Sequence, residues 1–484
     1  MTARDRTVSA FQRDAYRPAR QEITAVDLPV TGIVPADLNG RYLRNGPNPL
    51  QAEHPRFHYL LGAGMVHGVR LREGRAEWYR NRWVRQAAVQ QRLGEPPRKH
   101  LVLGGIDSAS NTNVVAHGGR ILSLVEGGTL PYELDPELGT VGPHDFFGEL
   151  GSGFTAHPKV DPLTGHMHSV GYYSGSPFVD HYVVDRTGRV VEHRTVDLPT
   201  RPMMHDFALT QNHLVLYDLP VVFHPVAALR GSRFPFRWDA RKQARLGVLP
   251  RLGDSVRWFD IDSVWIYHTV NAYESDGAVV LDVITHPRMF TGAESSLEGH
   301  GTPSMDRYRI DLEGSGRVVR ERLDDAPQEF PRVNESLVGQ RHRFAYTATG
   351  VDLAAAWAPV VELEELGDDE LGSALLKHDL RAGSVQRRSF ATDAAVGEAV
   401  YVPREPGVSR TADTTATDED DGYLLVFAHD VDRGASDLVI LSAADFTGSE
   451  IARVHLPRRV PLGFHGSWVP DSELTGLDAG GPLG

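Results

Sequence analysis

His181-Tyr-Val-Val184, Asp185-Arg-Thr-Gly188 and Arg189-Val-Val-Glu-His-Arg-Thr-Val-Asp197 form one continuous stretch of two valine-bearing runs about a polar centre. Its flanks alternate at period two, and Asp and Gly in the centre supply a chain reversal, which together is hairpin chemistry. The same pattern recurs at Val69–Trp83 around Glu73-Gly74, at Tyr308–Leu323 around Gly314-Ser-Gly316, and at Tyr423–Ile451. Asp161-Pro-Leu-Thr-Gly165 is a further turn between strands.

On either side of this stretch, 48 Gly and 31 Pro punctuate the whole length, with short β-branched and aromatic runs between them. Many short strands with turn signals every ten or so residues predict a sandwich, barrel or propeller. The length favours radial repetition, because a closed ring hides its sheet edges. No clean repeat of fixed period sets a blade number. The best helical candidate is Val361–His378, an acidic stretch carrying several Leu, interrupted at Gly367 and Gly372. Arg410–Asp421 reads as an exposed loop. No linker divides the chain, so one domain is expected over residues 21–470, between an N-terminal extension (1–20) and a C-terminal tail (471–484).

Composition narrows the function classes. Fifty Lys and Arg against 64 Asp and Glu give a formal charge of -14, which argues against a nucleic-acid partner and against electrostatic docking on anionic lipid. Cysteine is absent, so disulfides, iron–sulfur clusters, thiolate metal sites and cysteine nucleophiles are excluded. Any metal must be held by His, Asp, Glu or backbone groups. Met1–Arg20 lacks the apolar core of a signal peptide, and no run of eighteen apolar residues occurs. The expected location is the cytoplasm, with peripheral membrane contact left open.

Four of the 22 histidines stand in segments of unusual character. His157 lies in Phe154-Thr-Ala-His-Pro-Lys-Val-Asp-Pro162, and His205 in Met203-Met-His-Asp-Phe-Ala-Leu209. His268 lies in Trp265-Ile-Tyr-His-Thr-Val-Asn-Ala-Tyr-Glu274, and His465 in Gly463-Phe-His-Gly-Ser-Trp468. Each is flanked by aromatic or apolar residues, as suits an imidazole aimed into a protected interior. No His-Glu-x-x-His spacing is present. On spacing alone, four unrelated core histidines, each bonded to backbone, are the better reading.

These four segments, in this order, resemble the metal-ligand motifs of the carotenoid cleavage oxygenase family, which also holds stilbene-cleaving dioxygenases and the retinoid isomerase of the eye. Further blocks extend the resemblance over about residues 20 to 470. They are Gly40-Arg-Tyr-Leu-Arg-Asn-Gly-Pro-Asn-Pro49, Gly64-Met-Val-His-Gly68, Asn111-Thr-Asn113 and Leu124-Val-Glu-Gly-Gly128. Then come Glu329-Phe-Pro-Arg-Val-Asn334, Gly397-Glu398-Ala-Val-Tyr-Val-Pro403 and Asp420-Asp-Gly-Tyr-Leu424. The resemblance implies an all-β, seven-bladed β-propeller capped by loops and short helices. It implies one Fe(II) per subunit on His157, His205, His268 and His465. It implies Glu126, Glu329 and Glu398 behind the ligands, with dioxygen as co-substrate. Imidazole donors alone do not select iron over zinc, copper or nickel. Glu126 is also suggestive by itself, because a carboxylate behind the apolar run Ile121–Val125 needs a partner.

The implied reaction is oxidative cleavage of a carbon–carbon double bond, in a carotenoid or apocarotenoid, or alternatively in a stilbene or phenylpropanoid. Stilbene-cleaving relatives carry a lysine beside the first glutamate, where this chain has Val125. That departure favours an apolar polyene. Leu61-Gly-Ala-Gly64 and Tyr267 are further departures, and neither removes a ligand. The apolar, Pro-broken segment 219–238 reads either as a packed crossing loop or as a tunnel mouth touching membrane, with Arg230, Arg233 and Arg237 beside it.

Overall fold

The Asp185–Gly188 turn forms as its residues dictate. Asp185 Oδ1 accepts hydrogen bonds from the Thr187 and Arg189 backbone N–H groups, and Gly188 takes the left-handed φ of 83° that closes the reversal. It joins strands Phe178–Val184 and Val190–Asp197. The first is buried almost throughout and the second alternates, the mark of an inner and an outer strand of one sheet. Glu73 and Gly74, both at positive φ, close the Gly64–Arg72/Arg75–Trp83 hairpin in the same way.

The computed structural model describes residues 14–50, 59–96, 110–151, 153–232, 234–291, 301–314, 316–350, 372–391, 394–404 and 419–474. Within them lie seven antiparallel sheets of four or more strands, the blades of a seven-bladed β-propeller. Blade 1 holds Ile23–Val26, Gly40–Pro47, Gly64–Arg72, Arg75–Trp83 and Gly466–Pro470, and blade 2 spans Asn113–His117 to Thr140–Pro143. Blade 3 runs from Lys159–Val160 to Val190–Asp197, blade 4 from Ala208–Leu209 to Arg257–Ile261, and blade 5 from Trp265–Ser275 to Val318–Asp324. Blade 6 runs from Glu329–Arg332 to Ser384–Ser389, and blade 7 from Ala395–Val396 to Ala452–His455, with Val30–Gly32 on its outer edge. The ring is latched from both termini. The N-terminal region adds an outer strand to blade 1 and another to blade 7, and the last strand, Gly466–Pro470, completes blade 1 from the inside. Closure leaves few free edges for mispairing.

In blades 2 to 6 the first strand in sequence is innermost, and each blade then steps outward. Because neighbours are antiparallel, every innermost strand starts on the same face of the ring. The short reversals, such as 118–119, 185–189 and 276–277, fall on the opposite face. The long connections fall on the first face, including the hairpin Val221–Phe223/Phe236–Trp238 and helices Ala87–Leu93 and Pro225–Leu229. This is the expected cap.

Two expectations are modified. Val361–His378 is not a helix where it is described: Ala374–Asp379 is a strand of blade 6 paired on both sides, and 361–371 lie outside the described residues. Pairing and burial of Ala374, Leu375 and Leu376 override the weak helical pattern. Segment 219–238 divides by depth: Val221 and Phe236 are buried in the cap base, whereas Val226 and Leu229 at the helix tip are 46% and 87% exposed. Arg233 and most of the expected loop Arg410–Asp421 lie outside the described residues. Ala15 and Tyr16 are buried against the body, and Asp471 accepts from Arg41 and Arg70.

Candidate metal centre

Each signature histidine sits where an innermost strand begins, on the capped face. His157 precedes Lys159–Val160, His205 precedes Ala208–Leu209, His465 precedes Gly466–Pro470, and His268 lies in the first turn of register of Trp265–Ser275. The strand around His268 is irregular: its pairing shifts between Ile266 and Thr269 and again between Thr269 and Asn271. Such a bulge re-aims a side chain out of the regular pleat. At His465 the following glycine is required, because a Cβ on Gly466 would collide with the Leu43 carbonyl oxygen.

The four rings converge. His157 stands 4.5, 5.2 and 4.6 Å, centre to centre, from His205, His268 and His465, and His268 stands 5.4 Å from His205 and 4.7 Å from His465. One ligand atom from each of His157, His205 and His268 lies within 4.8 Å of the others. The Nε2 atoms of His157 and His205 are 3.0 Å apart. Nitrogens bound at about 2.1 Å to one ion at a right angle stand about 3.0 Å apart, and opposite ones about 4.2 Å. Beside them the buried His268 Nε2 has no hydrogen-bond partner among the described residues. A lone pair buried without a donor is costly, and a cation at the convergence point removes that cost. The donor set and its spacing therefore fit a divalent metal.

The outer nitrogens are held by carboxylates. His205 Nδ1 lies 2.8 Å from Glu126, His268 Nδ1 bonds Glu329 at 2.5 Å, and His465 Nδ1 bonds Glu398 at 2.9 Å. Each acceptor draws the ring proton outward and leaves Nε2 as the inward donor. No glutamate stands behind His157 among the described residues. Burial holds His157 well below the usual imidazole range, reinforced by the three neighbouring rings. Burial likewise lowers His465, to about 4, against the pull of Glu398. His205 is the exception: burial opposes its charge, but Glu126, Asp206 and Glu329 together outweigh it and raise the pKa.

Three residues behind the glutamates escaped the sequence reading. His286 Nε2 donates to Glu329 at 2.7 Å, so Glu329 serves two imidazoles, and its pKa falls far below the usual carboxylate value despite burial. Tyr172 hydrogen-bonds Glu126. Arg332 lies 3.5 Å from Glu398 and lowers its pKa against the opposing effect of burial. Arg332 stood inside the quoted block Glu329–Asn334, but nothing local distinguished Tyr172 or His286.

Residues 16–470 match the family model described as retinal pigment epithelial membrane protein, RPE65. A carotenoid cleavage oxygenase of Mycobacterium tuberculosis is 43% identical, over 94% of this chain and 96% of its own. The cobalt-substituted apocarotenoid oxygenase of Synechocystis superposes with a TM-score of 0.80 at 27% identity, covering 94% of this chain and 98% of the other. The lignostilbene dioxygenase of Pseudomonas brassicacearum gives 0.81 at 25%, covering 96% and 99%.

Proposed function

The chain belongs to the RPE65 and carotenoid cleavage oxygenase family, and on that premise we propose that it is a non-haem Fe(II) dioxygenase cleaving a double bond of a carotenoid or apocarotenoid. The observation that carries this reading is the convergence of four imidazoles, three of them anchored from behind by glutamates, on the capped face of the ring. Ferrous iron held by His157, His205, His268 and His465 would supply the electrons that activate dioxygen. An all-imidazole set adds no negative charge of its own, and the glutamates behind it provide the compensating charge. The overall change is balanced: one alkene and one dioxygen give two carbonyl products, with no further reductant. The protein's task is to fix ring orientation, place the correct double bond and keep water away. Glu126, Glu329 and Glu398 perform the first of these by holding each Nδ1 proton.

Two features support the polyene. Val125 offers no charge for a phenol, and the 43% identical relative is a carotenoid cleavage oxygenase. The apolar tip at Val226 and Leu229 suits contact with the lipid that stores such substrates. No helix among the described residues is long and apolar enough to cross a membrane. Weaker flotation of Leu229→Asp with zwitterionic vesicles would bear the lipid contact out, and unchanged flotation would remove it. The likeness to lignostilbene dioxygenase keeps stilbene cleavage as the second reading. Iron-loaded protein incubated under labelled dioxygen with carotenoids, apocarotenals and hydroxystilbenes tests both. Labelled aldehydes or ketones from the polyenes are expected. Cleavage of the stilbenes alone would select the second reading, and no cleavage of any substrate would overturn both.

A further inference from the structure

Between the two register shifts of the strand that carries His268 stands the Thr269 backbone N–H. That N–H donates to Asp206 Oδ2 at 2.8 Å. Asp206 directly follows His205, and its Oδ1 accepts from the Phe207 N–H at 2.7 Å. The same Oδ1 lies 2.8 Å from the Nζ of Lys159, two residues after His157. The Thr269 hydroxyl closes the arrangement, donating to the Phe207 carbonyl at 3.2 Å while it contacts the Tyr217 hydroxyl at 2.6 Å. The Asp206 side chain is 1% exposed and that of Lys159 is 18% exposed. One buried carboxylate is thus bonded to three chain segments, each carrying a metal-site histidine one or two residues away.

Resting on the metal-centre reading above, we propose that Asp206, paired with Lys159, is a positioning residue that sets the register of His157, His205 and His268 around the ion. The glutamates fix how each ring is turned, and Asp206 fixes where three of the strands place them. A buried carboxylate needs full compensation, and here the compensation comes from groups that must stand in fixed places. Loss of any one releases the others. The lock also supplies an anchor at His157, the ring without a glutamate. Asp206 touches neither substrate nor ion, so it acts through the ligands and not on the reaction.

The test uses Co(II) as the bound probe in the full chain, with three variants. Asp206→Ala removes every acceptor, Asp206→Asn keeps one, and Lys159→Met removes only the cation. The readouts are the Co(II) ligand-field spectrum, the rate of Co(II) loss to a chelator, and unfolding of the metal-free protein. The expected result is a shifted spectrum with faster metal loss in the order Ala, Asn, Met, by about 10–100-fold for Ala, the range found for other partners of metal ligands. Asn partly rescues Ala because its single oxygen can still accept from Thr269. Should Ala fail to fold, Asn and Met carry the comparison. Variants that shift unfolding yet keep the wild-type spectrum and loss rate within twofold would reduce Asp206 to an ordinary fold residue and overturn the proposal. Failure of the wild-type protein to bind Co(II) at one ion per chain would instead overturn the metal-centre reading beneath it.

Discussion

Two groups of buried histidines in this molecule differ in what stands behind them. At the metal centre the outer nitrogens of His205, His268 and His465 face carboxylates, which accept protons. In blade 3 the stacked pair His168 and His181 is flanked by guanidinium groups, which only donate. Arg251 donates to His168 Nε2 at 3.0 Å, Arg194 donates to His181 Nδ1 at 3.0 Å, and the remaining nitrogens face each other at 3.1 Å. Carboxylate anchors free an inward lone pair on each ring they hold, whereas in the blade 3 pair every ring nitrogen already faces a protein group. Burial and residue type are shared, so these two groups differ in their anchors and in the inward nitrogens the anchors leave free. Arg251 also pairs with Asp161, so the second group ties blade 3 to the blade 4 turn 251–256.

Removing a ligand ring outright is expected to cost more than any change behind it. His268→Ala is expected to lose the bound ion and more turnover than the about 10–100-fold carried by partners of ligands. His168→Gln is expected to keep wild-type metal content once folded. Metal analysis of the two purified variants decides it: equal metal content in both would erase the distinction between the groups.

Changing an anchor while keeping the ring gives a smaller effect. Glu329→Gln replaces an acceptor shared by His268 and His286 with an amide that offers only one oxygen. Metal affinity is expected to fall about 10–100-fold, and by more than in Glu126→Gln. Competition with a calibrated chelator measures both, and equal affinities in the two variants and wild type would remove the carboxylates from the ligand set's support.

The contrast also explains what was legible in the sequence. Hairpins such as His181–Asp197 and Val69–Trp83 announce themselves locally, through turn residues and period-two flanks. The blade number does not, because it depends on which strands pair, and the closing strands Val30–Gly32 and Gly466–Pro470 come from opposite termini. His157, His205, His268 and His465 were found through their surrounding motifs, and spacing alone did not separate them from His168 and His181. The reason is physical: the anchors are remote in sequence, with Glu329 61 residues from His268 and Glu398 67 residues from His465. His286 and Lys159 were missed on the same ground, since their roles appear only when blades 3 to 6 are side by side. Asp206 stood in plain view beside His205, but the N–H it captures belongs to a bulge that no local pattern announces.

The blade 3 pair itself is expected to show a small dependence of stability on pH. Burial, with Arg251 next for His168 and with His168 next for His181, lowers the two pKa values to about 3 and about 2. A guanidinium stands beside each ring, so an added positive charge there is repelled as well as buried. The unfolded chain takes up protons on these residues near pH 6.5, whereas the folded chain does so only near pH 3. The sign follows: the pair's contribution is complete above pH 6.5, and stability declines as pH falls through 6.5 toward 3, by at most about 1.4 kcal/mol per pH unit for each ring. His181→Gln removes one such proton, so urea unfolding of the metal-free variant between pH 6 and 4.5 is expected to be flatter in pH than wild type by up to that amount. Identical slopes would mean that His181 is protonated in the fold, and that its arginine neighbours are not what keeps it from behaving as a charged group.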